Sequence, residues 1–162
     1  MKDTSVQQVI DQANIISTIN HFWFSVDTRD YDAMRSCLTE QVDFDYSALY
    51  GTSMPSKADE LVEEVRRDHD GFQATQHVTT NHYVTINGDT AQCIANFQVQ
   101  HFLPNDRISN FWRLGGRYVF SLLRTQDGWK IHGCVINVSW TDGDLQLVEI
   151  AHEQSQQQRT QD

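Results

Sequence analysis

Four stretches in the second half of the chain, Thr75 to Ile86, Ala91 to Leu103, Phe111 to Arg124 and Trp129 to Trp140, carry the two-residue period of strands. Turn signals join them: Asn87-Gly88-Asp89 between the first pair and Gln126-Asp127-Gly128 between the last. Glycine in so short a connection supplies the positive φ that a tight hairpin needs, so neighbouring strands run antiparallel. This half of the chain is committed to a meander with one apolar face to cover.

The residues ahead of it supply the cover. From Ser5 to Asp27, Val6, Val9, Ile10, Ala13, Ile16, Ile19, Trp23 and Val26 recur at steps of three and four, which predicts a long amphipathic helix. Asp27 falls on the same face, four residues after Trp23. A short helix is expected over Tyr31 to Leu38 and a strand over Val42 to Tyr46. A third helix fits Ser56 to His69, with Ser56 and Asp59 as its capping pattern and Leu61, Val62 and Val65 as its apolar stripe. Helices followed by a meander define an α+β domain: a curved, mostly antiparallel sheet wrapped against a helical layer, over residues 1–150. The last residues, 151–162, are polar and repetitive and are expected to fray or be disordered.

Charge narrows the function. A net charge of −10 with no basic stripe repels phosphate backbones and anionic lipid, so neither nucleic acid nor a membrane surface is an expected partner. No apolar run has the length of a membrane span, the N-terminus lacks the apolar core of a signal peptide, and a cytoplasmic location is expected. Cys37, Cys93 and Cys134 are far apart and form no CxxC pair, which suggests buried, reduced thiols.

Candidate chemistry starts on the strand Ala91 to Leu103. Its odd positions are Ala91, Cys93, Ala95, Phe97, Val99, His101 and Leu103, so His101 belongs to the buried set. By itself such a histidine fills a core and bonds a backbone carbonyl. Asp27 changes that reading, because a carboxylate ending an apolar helix face is costly to bury without a partner. His77 opens the neighbouring strand of the first hairpin. An Asp that accepts from one imidazole nitrogen fixes the tautomer and makes the other nitrogen a base. A metal site is not expected: His77 and His82 are five residues apart, on opposite faces of a regular strand, and only a bulge would bring them together. Gly115-Gly116 lies within a strand pattern and marks a bend or bulge rather than a phosphate cradle.

The run FWFSVDTRDYDAMRSCLTEQVDFDYSALYG, with TQH ending at His77, VQH ending at His101 and DGWKIHGCVINVSW ending at Trp140, resembles the SnoaL-like branch of the NTF2-like superfamily. Within that branch it is most similar to the scytalone dehydratases. The resemblance implies a cone-shaped α+β barrel around a pocket, a homo-oligomer (trimer or dimer), and chemistry without metal or organic cofactor. It matches Asp27 and His77 to an Asp-His dyad whose histidine is the general base, His101 to a second active-site histidine, and Tyr46 to a tyrosine that holds the substrate carbonyl through water. A related dehydrochlorinase uses the same pair for elimination. Val26 stands where the dehydratases have a tyrosine, and Arg117 and Val119 align with their pocket Ser and Asn. With Trp23, Phe97, Val99 and Asn137, these three form the expected substrate pocket. The resulting expectation is a dehydratase-like lyase acting on a small, apolar, cyclic or polyketide-like carbonyl compound. An isomerase or cyclase using the same base, or a non-catalytic ligand-binding domain, are the alternatives.

Overall fold

The computed structural model describes residues 5–52 and 54–159. Helix α1 (Val6–Thr28) opens on a capping box: the Gln8 amide donates to the Ser5 hydroxyl and the Ser5 amide to the Gln8 side chain. There follow α2 (Tyr31–Ser36), β1 (Leu38–Asp45), the single turn α3 (Ser47–Tyr50) and α4 (Ala58–His69). The meander is β2 (Ala74–Asn87), β3 (Thr90–Phe102), β4 (Phe111–Thr125) and β5 (Gly128–Gly143), and α5 (Gln146–Arg159) ends the described chain. Both hairpin glycines adopt the expected positive φ, 61° at Gly88 and 99° at Gly128.

The strands order as β1-β5-β4-β3-β2, with β1 parallel to β5 and every other pair antiparallel. The sheet is open, since β1 and β2 are its two edges and do not pair: the expected α+β architecture, a curved and mostly antiparallel sheet packed against N-terminal helices, takes the form of a five-stranded mixed sheet. Helix α1 packs on β2 and β5, while α4 packs on β1, α2 and α5. The register of β4 against β5 shifts at Gly115/Gly116. A Cβ on Gly116 would stand 2.0 Å from the Asn137 carbonyl oxygen, so the backbones there approach too closely for a side chain.

Three expectations are corrected here. In α1 the buried stripe runs through Asp11, Ile15, Ile19, Phe22, Trp23 and Val26, leaving Val6, Val9 and Ile10 exposed. Asp11 is buried because both its oxygens accept from the Arg124 guanidinium at 2.8 Å, with Trp129 Nε1 donating at 3.2 Å. Helix α4 starts after Lys57 without a side-chain cap, and the Asp59 carboxylate pairs with Arg35 instead. Finally, most of the C-terminal segment is helix: Leu147, Ile150 and Ala151 of α5 are buried, and residues 160–162 lie outside the described chain. All three cysteines are buried free thiols. Among the described residues, no helix is long and apolar enough to cross a membrane.

Candidate active site

The first hairpin brings the two predicted histidines side by side. Its register pairs Thr75 with His101 and His77 with Val99, which puts all four on the inner face of the sheet. Asp27 reaches them from the last turn of α1. Its Oδ1 accepts from His77 Nδ1 at 2.7 Å and from the Thr75 hydroxyl at 3.0 Å, and its Oδ2 accepts from the His77 amide at 2.7 Å. The Thr75 hydroxyl in turn accepts from Arg29 at 2.8 Å. Burial pushes the Asp27 carboxyl upward, but the hydrogen bonds and charge of His77 and the Thr75 bond outweigh it and leave it below its ordinary range. An ionised Asp27 fixes the proton of His77 on Nδ1, and Nε2 keeps the lone pair.

Trp23 lies flat against His77, ring centroids 4.3 Å apart and planes within 5°. An indole face there favours the imidazole after it has gained a proton. Beyond Trp23 an aromatic series continues through Tyr118 to Phe97, at 5.0 and 4.1 Å.

His101 stacks on Trp112 at 4.6 Å, touches Phe72, and sends Nδ1 to the Trp112 carbonyl at 3.3 Å. A carbonyl only accepts, so His101 Nδ1 carries the hydrogen. Burial, with the neighbouring His69 and His77, holds His101 well below the ordinary histidine range, so it is a neutral acceptor at Nε2. His69, on the last turn of α4, repeats the arrangement. Its Nδ1 meets the Val65 carbonyl at 2.8 Å, and burial pushes its pKa down to about 3.

These groups converge on one cavity with about 560 Å³ of empty space, counting its open mouth. Its lining is mostly apolar and aromatic, with Trp23, Phe44, Tyr46, Tyr50, Trp112 and Tyr118 around the three histidines. Such a surface holds a small apolar molecule and leaves a few polar groups to orient it. Burial raises the Tyr46 and Tyr118 phenols well above their ordinary range, so both are hydrogen-bond donors.

The expected catalytic set, Asp27, His77, His101 and Tyr46, is thus gathered at the cavity: Asp27 behind His77, the other three in its wall. Of the expected pocket residues, Trp23 and Val99 line it. Arg117 and Asn137 are exposed and, like Val119, are not in the wall; alternation on β4 and β5 turns their neighbours Tyr118 and Ile136 inward instead. Phe97 is buried behind Tyr118, and Val26 is fully buried in the core. Position 26 therefore does not leave the cavity short of phenols, because Tyr118 and Tyr50 enter from other elements. The bulge needed to align His77 and His82 exists, between Thr80 and Tyr83, and the alternation of β2 reverses across it. The histidine that joins His77 and His101 is nevertheless His69.

Residues 7–135 match the model of the SnoaL-like domain, and the chain belongs to that family. The Kfla4162 protein of Kribbella flavida superposes with a TM-score of 0.80 at 25% identity, over 88% of this chain and 97% of that one. A provisionally named scytalone dehydratase from Novosphingobium aromaticivorans gives 0.75 at 15% identity, over 88% and 91%. The LinA-type3 hexachlorocyclohexane dehydrochlorinase of Novosphingobium barchaimii gives 0.70 at 14%, over 86% and 94%. The last two likenesses speak for the fold alone. Among curated proteins, none matches the sequence.

Proposed function

We propose that this protein is a lyase that removes water from a small, mostly apolar cyclic carbonyl compound, with His77 as general base. One observation carries the reading: an ionised carboxylate 2.7 Å from Nδ1 of a histidine whose ring lies in the wall of an apolar cavity. Such a pair is poised to take a proton and hold the charge that results. The names of two fold neighbours, a dehydratase and a dehydrochlorinase, describe eliminations of the same kind.

In the proposed sequence, His77 Nε2 takes the proton from the carbon next to the carbonyl. Asp27 and the Trp23 face stabilise the imidazolium, and the phenols of Tyr46 and Tyr118 donate to the enolate oxygen. The enolate electrons then expel the neighbouring hydroxyl. Neutral His101 accepts a hydrogen bond from that hydroxyl and steers it, and the proton on His77 is returned to it, so that it leaves as water. His101 cannot serve as a cationic acid at neutral pH, which moves the acid role to His77.

The test is exchange of substrate α-hydrogen with deuterated solvent, alongside product mass, for a panel of cyclic hydroxyketones. Wild type should exchange and lose one water. Asp27→Asn and His77→Ala should each slow exchange by about a hundredfold or more while melting within a few degrees of wild type. Near-normal exchange in both variants would reject His77 as the base; exchange with unchanged product mass would indicate isomerisation or ring closure.

A further inference from the structure

We propose that His69, His77 and His101 form a three-imidazole site for a divalent transition-metal ion of the zinc type. One ring nitrogen from each lies within 4.8 Å of the others, and the ring centroids are 5.7, 5.7 and 6.1 Å apart. The remaining nitrogens settle which atoms these are. Each Nδ1 is committed to an oxygen: His77 to Asp27, His69 to the Val65 carbonyl and His101 to the Trp112 carbonyl. Each Nε2 therefore carries a lone pair toward the shared space.

A metal-bound histidine characteristically donates its second nitrogen to a carboxylate or a backbone carbonyl, which fixes the tautomer and aims the ring. All three histidines have that partner. His69 supplies an independent sign of a missing ligand, because its Nε2 is buried without any hydrogen-bond partner among the described residues. A solvent-shielded imidazole nitrogen with no partner is costly to keep. The strand pairing of β2 and β3 and the last turn of α4 set the three rings.

The donor set chooses the ion. Three neutral imidazoles suit zinc, cobalt, nickel or copper, whereas magnesium and calcium require oxygen ligands. Tetrahedral Zn–N bonds of about 2.0 Å place ligand nitrogens ~3.3 Å apart, so from a spacing of up to 4.8 Å the nitrogens must close by as much as about 1.5 Å. All three histidines line the cavity, so water or a substrate oxygen held there would complete the shell.

Binding goes beyond the proposed lyase reaction, and one consequence rests on it: a single lone pair on His77 cannot hold an ion and accept a proton. Occupied by metal, the site should be silent in proton abstraction.

Chelator-stripped protein should be titrated with Zn²⁺ by calorimetry and with Co²⁺ by visible absorption, without substrate. Wild type should bind one ion per chain, and Co²⁺ should give the intense visible bands of a four-coordinate site. His69→Gln and His101→Gln, each checked for a native melting transition, should weaken binding by at least a hundredfold. His152→Ala should leave it unchanged, since His152 pairs with Asp68 outside the cluster. No binding by wild type, or undiminished binding in both cluster variants, overturns the site. Should those variants not fold, X-ray absorption of zinc-loaded wild type decides, three imidazole ligands supporting the site and any smaller number rejecting it. Because the titration contains no substrate, its failure leaves the base reading standing; failure of deuterium exchange in stripped protein leaves the metal site standing.

Discussion

Hydrogen bonds fix what the reactive atoms of Asp27, His69, His77 and His101 can do. Asp27 shows this best, since three donors fill its oxygens and it has no freedom to leave His77. Thr75→Val keeps the shape but removes one donor to Asp27 and an acceptor for Arg29. The expected result is a loss of about 1–2 kcal/mol in stability and a fall of roughly tenfold in α-hydrogen exchange, read by thermal melting and deuterium uptake. His101→Phe probes the opposite case. Phenylalanine fits between Phe72 and Trp112 and gives up only a 3.3 Å hydrogen bond, so the melting temperature should hold or rise. Exchange at His77 should continue while product formation drops, because the steering acceptor is gone. Equal loss of exchange and product would count against that role, and normal rates of both would make His101 a core residue. Asp27 and His101 were legible in the sequence because each breaks an apolar pattern. His69 was not, since a histidine in the last turn of a helix is ordinarily explained by the helix dipole. Tyr118 was missed although its alternation with Trp112, Leu114 and Phe120 is plain in the sequence.

Among the elements, α5 has the least obvious origin and a definite task. Its sequence is rich in glutamine and its moderate apolar face is short, so composition reads as a tail, yet Leu147, Ile150 and Ala151 are buried with α4 as a principal neighbour. Since α4 carries His69, the tail element braces the cavity wall. The contact is tight at Gly71, where an added Cβ would stand 1.8 Å from the Ala151 carbonyl oxygen. Gly71→Ala must therefore displace α5 backbone, and a loss of about 2–4 kcal/mol is expected in chemical denaturation. A change under about 0.5 kcal/mol would show that α5 does not press on the turn that follows α4. The hairpins, by contrast, were readable in advance because their turns are written in two glycines whose positive φ few other residues adopt. The parallel pairing of β1 with β5 was not readable: it joins strands far apart in sequence, which local pattern does not encode.

At the scale of the whole molecule, the cavity imposes a dependence on pH. His69 and His101 stay neutral when folded, His69 down to about pH 3 and His101 well below its ordinary value, both chiefly because of burial. An unfolded chain lets both protonate near pH 6.5. Below that pH the unfolded state binds more protons than the folded one, so stability falls as pH falls, by up to about 1.4 kcal/mol per pH unit for each imidazole. Asp27 adds its own loss only at lower pH, as its depressed carboxyl protonates. Asp68, pushed up by burial, acts in the opposite sense, since its cost is relieved on acidification. With the imidazoles of His69, His101 and His82, all held down by burial, set against the one carboxyl of Asp68, stability should decline steadily from about pH 6.5 toward pH 4. Replacing both His69 and His101, in His69→Gln with His101→Phe, should flatten that decline. Denaturant midpoints measured at half-unit steps between pH 4 and 8 give the answer. If the double variant loses stability as steeply as wild type across that range, the buried neutral imidazoles are not the source of the acid sensitivity.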